Sequence, residues 1–198
     1  MTYHAKRTTG TAGAPLFLTF HGTGGTEDQF HDFAEQLIPG AHVTSPRGDV
    51  SEHRAARYFR RTGEGVYDMD DLALRSRAMA DFITAEKAAT KPARTIGLGY
   101  SNGANILAAV AMLDAGLVDD LILMHPPIPF APAPQPGLKG RRVLITAGQN
   151  DPICPPDLTH ALAGYLIAQG ADVQVHWHAG GHGIAQSEVA AVQDFLIA

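Results

Sequence analysis

The chain has a single cysteine, Cys154, and a single tryptophan, and aromatic residues make up only 7% of its 198 positions. With one cysteine no intrachain disulfide can form, which fits a reducing compartment. Charge is also sparse: 15 Lys and Arg stand against 20 Asp and Glu, a net charge of −5 with no long basic run. Nucleic acid and anionic membranes are therefore not expected as partners. The apolar stretch from Ala104 to Met124 is interrupted by Asn105, Asp114, Asp119 and Asp120, so it does not read as a membrane span. The opening residues, Met1 to Arg7, lack the apolar core of a signal peptide. A cytoplasmic protein without stable membrane association is expected. At 45% hydrophobic content the chain can bury one good core, and a single domain over residues 1–198 is anticipated.

Strand-like and helix-like segments alternate, the pattern of βαβ units around a parallel sheet. Strands are expected at Pro15–Phe20, Ala41–Thr44, Arg94–Leu98, Asp120–Met124, Arg142–Thr146 and Asp172–Trp177. Thr26-Glu27-Asp28-Gln29 has capping-box spacing ahead of an apolar face made by Phe30, Phe33, Ala34, Leu37 and Ile38. Further helices are expected over Asp70–Ala89, Ala104–Asp114, Asp157–Gln169 and Ser187–Ala198. Ser45–Tyr67 is long for a connection and reads as a binding loop or short lid. His125–Gly137 carries six prolines and reads as a stiff, extended excursion. No insertion is long enough for a large cap domain.

Gly99-Tyr100-Ser101-Asn102-Gly103 lies between the apolar strand expected at Arg94–Leu98 and the apolar helix expected at Ala104–Asp114. That setting can lift a serine hydroxyl onto a sharp turn, with glycines where a side chain would crowd it. An alcohol is a poor nucleophile near neutral pH, so Ser101 needs a base and the base an orienting carboxylate. Asp151 follows one later strand and His182 the last one, at the sheet edge where ligand crevices form. The amides of Thr23, in His21-Gly22-Thr23-Gly24-Gly25, and of Asn102 are the candidate oxyanion donors. His21 reads as a brace for that loop, and Gly24 leaves room for substrate. Arg47, Arg57, Arg60 and Arg61 suit an anion clamp or a solvated loop equally. Tyr58 and Phe59 are candidate pocket walls, and His125 is either a pocket residue or simply packed.

Competing patterns are weaker. Asn102 stands where a dinucleotide fingerprint needs its third glycine, and Gly22–Gly25 lacks the Lys-Ser/Thr ending of a phosphate loop. His176 and His178 flank Trp177, but no carboxylate or cysteine completes a metal set at convincing spacing. No metal is expected. Asp151 precedes Pro152 and could be an ordinary turn residue.

His21-Gly22-Thr23-Gly24, Ser45-Pro46-Arg47-Gly48, Gly99-Tyr100-Ser101-Asn102-Gly103, Gly148-Gln149-Asn150-Asp151 and Gly181-His182-Gly183 occur in that order. Together they resemble the small carboxylesterase/phospholipase-like branch of the α/β-hydrolases, which includes acyl-protein thioesterases. The resemblance implies an α/β-hydrolase fold with a mostly parallel sheet and helices on both faces. It implies Ser101, Asp151 and His182 as catalytic triad, an oxyanion hole at Thr23 and Asn102, small ester substrates, no cofactor and frequent homodimers. Arg57-Tyr58-Phe59-Arg60-Arg61 replaces the Trp-containing segment of the thioesterases, so long acyl chains and protein substrates are not expected. A second resemblance is to the dienelactone hydrolases, which carry cysteine where Ser101 stands. A ligand-binding protein that retains the pocket but scarcely turns over is the non-enzymatic alternative.

Overall fold

In the computed structural model residues 3–63 and 65–197 are described. Met1 and Thr2, Glu64 of the 45–67 stretch, and Ala198, where the expected closing helix ends, lie outside the described residues. A seven-stranded sheet organises the chain, built from β1 (Ala5–Thr8), β2 (Leu16–Phe20), β3 (His42–Pro46), β8 (Thr95–Tyr100), β9 (Asp120–Met124), β10 (Arg142–Gly148) and β11 (Asp172–His178). Their spatial order is β1-β3-β2-β8-β9-β10-β11, and every neighbouring pair is parallel except β1 with β3.

The central strands are apolar at nearly every position because both sheet faces are covered. Leu16, Leu18 and Phe20 of β2, with Leu121, Leu123, Val143 and Ile145, pack under α2 (Met69–Thr90), α3 (Asn102–Leu113) and α4 (Pro156–Ala168). Their alternate neighbours Phe17, Ile122 and Leu144 meet α1 (His31–Leu37) and α5 (Gln186–Ile197) through Ala34, Val192 and Phe195. The fold is that of an α/β-hydrolase without a large cap. Among the described residues no helix is long and apolar enough to cross a membrane.

One local expectation needs correction, and one strand carries no signal in the sequence. Strand β1 has no hydrophobic alternation: its Lys6 and Arg7 face solvent and pair with Asp32, at 3.0 Å, and Glu86, at 2.7 Å. Its place is set by edge pairing to β3, which composition does not report. The capping box is not formed. Helix α1 begins at His31 with no side-chain cap, and Gln29 Oε1 instead accepts the Gly22 N–H at 2.8 Å. The 45–67 stretch, expected as a binding loop or short lid, lends Arg57, Arg61, Gly65 and Tyr67 to the main cleft and carries two antiparallel ribbons. One pairs β4 (Val50–Glu52) with β5 (Ala55–Arg57), the other β6 (Arg61–Gly63) with β7 (Val66–Tyr67). The 125–137 excursion is largely irregular, with a single 3-10 turn at its end over Pro136–Leu138.

Candidate active site

Ser101 sits between β8 and α3 with φ +52° and ψ −116°, a region that non-glycine residues rarely occupy. Such strain typically costs about 1–3 kcal/mol and persists only where surrounding contacts impose it. Two backbone hydrogen bonds do so here: Ser101 N–H donates to Met124 O at 2.8 Å, and its carbonyl accepts from Asn105 N–H at 3.0 Å. The flanking glycines permit the turn. A Cβ on Gly99 would fall 2.5 Å from Gly103 O, and one on Gly103 would fall 2.2 Å from Phe20 O.

Asp151 comes from the loop after β10 and His182 from the loop after β11. These loops lie backbone to backbone: Gln149 N–H donates to His178 O and Asn150 N–H to Gly180 O. The Ser101 hydroxyl is 2.9 Å from His182 Nε2, and His182 Nδ1 is 2.7 Å from Asp151 Oδ2. An ionised carboxylate only accepts, so Nδ1 carries the proton and Nε2 is left to accept from the serine. Tyr100 holds the histidine loop by donating its hydroxyl to His182 O at 2.8 Å. Burial alone would push the Asp151 carboxyl up. The N–H groups of Cys154 and Ile153 and the rings of His125 and His182 outweigh it and hold the carboxyl below its usual range.

Ser101 and His182 open onto a cleft of about 290 Å³, also lined by Thr23 and Asn102. Neither the Thr23 nor the Asn102 backbone N–H has a hydrogen-bond partner among the described residues. The Thr23 loop is braced from several sides. Gly24 N–H donates to Ala56 O at 2.9 Å, and Arg57 Nη1 donates to Thr23 Oγ1 at 2.7 Å. The rest of the wall mixes Arg61, Tyr67 and Asn105 with the apolar Pro127 and Ile153.

Other residues singled out in the sequence take different places. Tyr58 and Phe59, anticipated as pocket walls, are fully buried in the core. Tyr58 is drawn inward because its hydroxyl donates to Pro46 O at 2.7 Å and accepts the His21 N–H at 3.1 Å. Its own N–H donates to Asn102 Oδ1, tying the ribbon to the start of α3. Phe59 packs edge-on against Tyr67 at 4.8 Å. His21 is the expected brace: Nδ1 donates to Gly22 O, and Nε2 accepts the Gly48 N–H at 2.9 Å. Burial pushes its pKa down, in keeping with a neutral ring that both donates and accepts. Arg47 lies away from the cleft, paired with Glu27. Gly24 supports the Thr23 loop through its N–H rather than lining the cleft. His125 is wholly buried and donates to Asp151. Cys154 is a buried thiol, pushed up to about 11 mainly by that burial. Sequence reasoning missed Tyr67, Asn105 and Glu188, and it left Arg57 undecided between clamp and solvent. Arg57 is in fact only 4% exposed.

A parallel sheet with a strained serine at a strand–helix turn, and an aspartate and a histidine after later strands, defines an α/β-hydrolase. The comparisons with known proteins agree. The dienelactone hydrolase family model matches residues 11–194, and the chain belongs to that family. MhqD of Bacillus subtilis is 37% identical over 182 residues, covering 91% of each chain. A crystal structure of a protein of unknown function from Agrobacterium tumefaciens is 55% identical, with TM-score 0.93 over 98% of this chain and 96% of that one. The Bacillus cereus carboxylesterase structure is 33% identical, with TM-score 0.90 over 98% of this chain and 92% of that one.

Proposed function

We propose that the protein is a serine ester hydrolase working through an acyl-enzyme. The observation that carries this reading is the continuous run of hydrogen bonds from the Ser101 hydroxyl through His182 to Asp151. Ser101 Oγ attacks the ester carbonyl carbon while its proton passes to His182 Nε2. The carbonyl oxygen, now an oxyanion, accepts from the unpartnered Thr23 and Asn102 N–H groups. Each such donor is typically worth about 3–4 kcal/mol of barrier. Asn102 N–H also lies at the positive end of the α3 dipole. Collapse expels the alkoxide, which takes the proton from His182. Water then repeats the sequence on the acyl-enzyme, with His182 as base and Ser101 as leaving group. Asp151 stays ionised throughout and stabilises the imidazolium.

A cleft of about 290 Å³ suits small acyl or aryl esters, and a lactone of similar size would be opened by the same steps. A fluorophosphonate reports on this reading directly. Stoichiometric labelling located at Ser101 by mass spectrometry, with turnover of p-nitrophenyl acetate, is the expected result. Well-folded protein that neither labels nor turns over would favour the ligand-binding alternative.

The cleft carries the Arg57 and Arg61 guanidinium groups, while Glu52 pairs with both, at 3.3 Å and 3.0 Å. One positive charge is left over on that wall. Arg61→Gln is therefore expected to lower kcat/KM for a carboxylate-bearing aryl ester by about two- to fivefold relative to its neutral isostere. Equal losses on both esters would remove the charge argument.

A further inference from the structure

Asp151 Oδ2 does not serve His182 alone. His125 Nδ1 lies 2.8 Å from the same oxygen, and His125 Nε2 lies 2.9 Å from Glu188 Oε1. The side chains of His125, Asp151 and Glu188 are all 0% exposed. The second contact is poorly aligned for a hydrogen bond, so it acts mainly as a charge contact. Each ring nitrogen of His125 thus faces a carboxylate oxygen. Were the ring neutral, the lone pair of one ring nitrogen would lie against a carboxylate in a fully buried site, where repulsion is weakly screened.

The alternative, a protonated carboxylate, conflicts with how the two acids are held. Asp151 Oδ1 accepts from Ile153 and Cys154 N–H at 2.8 Å and 2.9 Å. Glu188 accepts from the Thr146 hydroxyl and the Ala185 N–H, both at 2.6 Å. Burial pushes Glu188 up, but His125, Thr146 and the Ala185 amide outweigh it and hold the carboxyl low. Burial likewise pushes His125 down, and Glu188 and Asp151 outweigh it and raise it. His125 is also conformationally strained, with φ +50° at the end of β9. Its N–H is anchored to Thr146 O at 2.8 Å.

A metal ion is the other way to hold such a group. His178 Nε2 does approach Glu188 Oε2, at 3.2 Å. Yet His178 Nδ1 accepts the Gly180 N–H at 3.0 Å, which leaves its proton on Nε2, facing the carboxylate. A ring in that tautomer has no lone pair to offer a cation there.

We propose that His125 is a positioning residue: a buried imidazolium, shared by Asp151 and Glu188, that fixes the Asp151 carboxylate behind His182 and ties it to α5. The proposal rests on the reading of His182 as the base. Asp151, Glu188 and His125 together carry one net negative charge. Replacing His125 by a neutral residue leaves two, and removes one of the two imidazole donors to Asp151 Oδ2. Among the described residues, the other titratable rings facing His125 are those of Tyr100, His178 and His182, at 5.8, 5.4 and 5.2 Å.

Nitrogen NMR of the histidine-labelled wild-type protein tests the protonation state without relying on activity. The expected spectrum shows both His125 ring nitrogens protonated at neutral pH and unchanged by EDTA, and in Glu188→Gln the second proton leaves at lower pH. A singly protonated His125 in the wild type would overturn the proposal, as would a stoichiometric metal whose removal shifts the His125 and His178 signals. In His125→Gln, kcat is expected to fall about tenfold with KM little changed. The acidic limb of kcat/KM should move to higher pH, because a more negative cluster favours the protonated base. An unmoved limb with a loss of stability alone would reduce His125 to a structural role. Should that variant fail to fold, the wild-type spectrum still decides. Fluorophosphonate labelling of Ser101 separates failure here from failure of the serine-hydrolase reading.

Discussion

Ser101→Ala is expected to lower ester turnover by about four to six orders of magnitude, the range seen when the nucleophile of a coupled serine–histidine–aspartate unit is removed. No other hydroxyl is 2.9 Å from His182 Nε2 among the described residues, so no side chain can substitute. The fold should survive, since among the described residues the serine hydroxyl bonds only to His182, and its backbone bonds to Met124 and Asn105 remain. Ser101→Gly separates chemistry from conformation. It should be as inactive as the alanine variant yet more stable by about 1 kcal/mol. That figure follows from relief of roughly 1–3 kcal/mol of strain, less about 0.4–1 kcal/mol for the freer unfolded chain. For a chain of this length that is a rise of about 2–4 °C in Tm, read by calorimetry. A glycine variant that melts below wild type would show that the serine backbone is not strained.

Gly103→Ala should be severely damaging for a single added methyl group. Its Cβ would lie 2.2 Å from Phe20 O, 2.5 Å from His21 O and 2.6 Å from Phe20 C, all backbone atoms at the end of a central strand. Neither side can yield easily, because β2 is paired on both edges and α3 is buried along most of its length. A loss of about 3 kcal/mol or more is expected, or roughly 6–12 °C in Tm. Activity should fall along with stability, since relief of the clash would shift α3 and the Asn102 amide together. By contrast, Gly13→Ala meets nothing within 4 Å and provides a control whose only strain is its φ of +76°. Equal melting temperatures for Gly103→Ala and wild type would mean that the helix and strand are not packed this closely.

Much of the architecture follows from sequence patterns that act locally. Apolar runs at β2, β8, β9 and β10 read as strands because these strands are buried on both faces. Ser101 and Asp151 follow such runs and His182 follows the edge strand β11, so one end of the sheet gathers them once the crossovers are made. Where sequence reading failed, side chains were answering to distant partners. Gln29 left its capping box for the Gly22 N–H, and Tyr58 turned inward for Pro46 O and the His21 N–H. Strand β1 depends on an edge made available only after β3 is in place.

The sequence by itself determined the alternation of strands and helices, the strand–turn–helix around Ser101, and the order in which Asp151 and His182 reach the sheet edge. Periodicity and glycine placement suffice for these, since they depend on neighbours within a few residues. Tertiary structure alone decided what surrounds Asp151. His125, 26 positions earlier in the chain, and Glu188, on the closing helix, meet only because β9, β10 and α5 pack there. In the sequence His125 is one histidine before a run of prolines and Glu188 one acid on an ordinary amphipathic helix. Charges acquire their roles from burial and from the partners that burial brings within reach, and neither is encoded in short-range pattern.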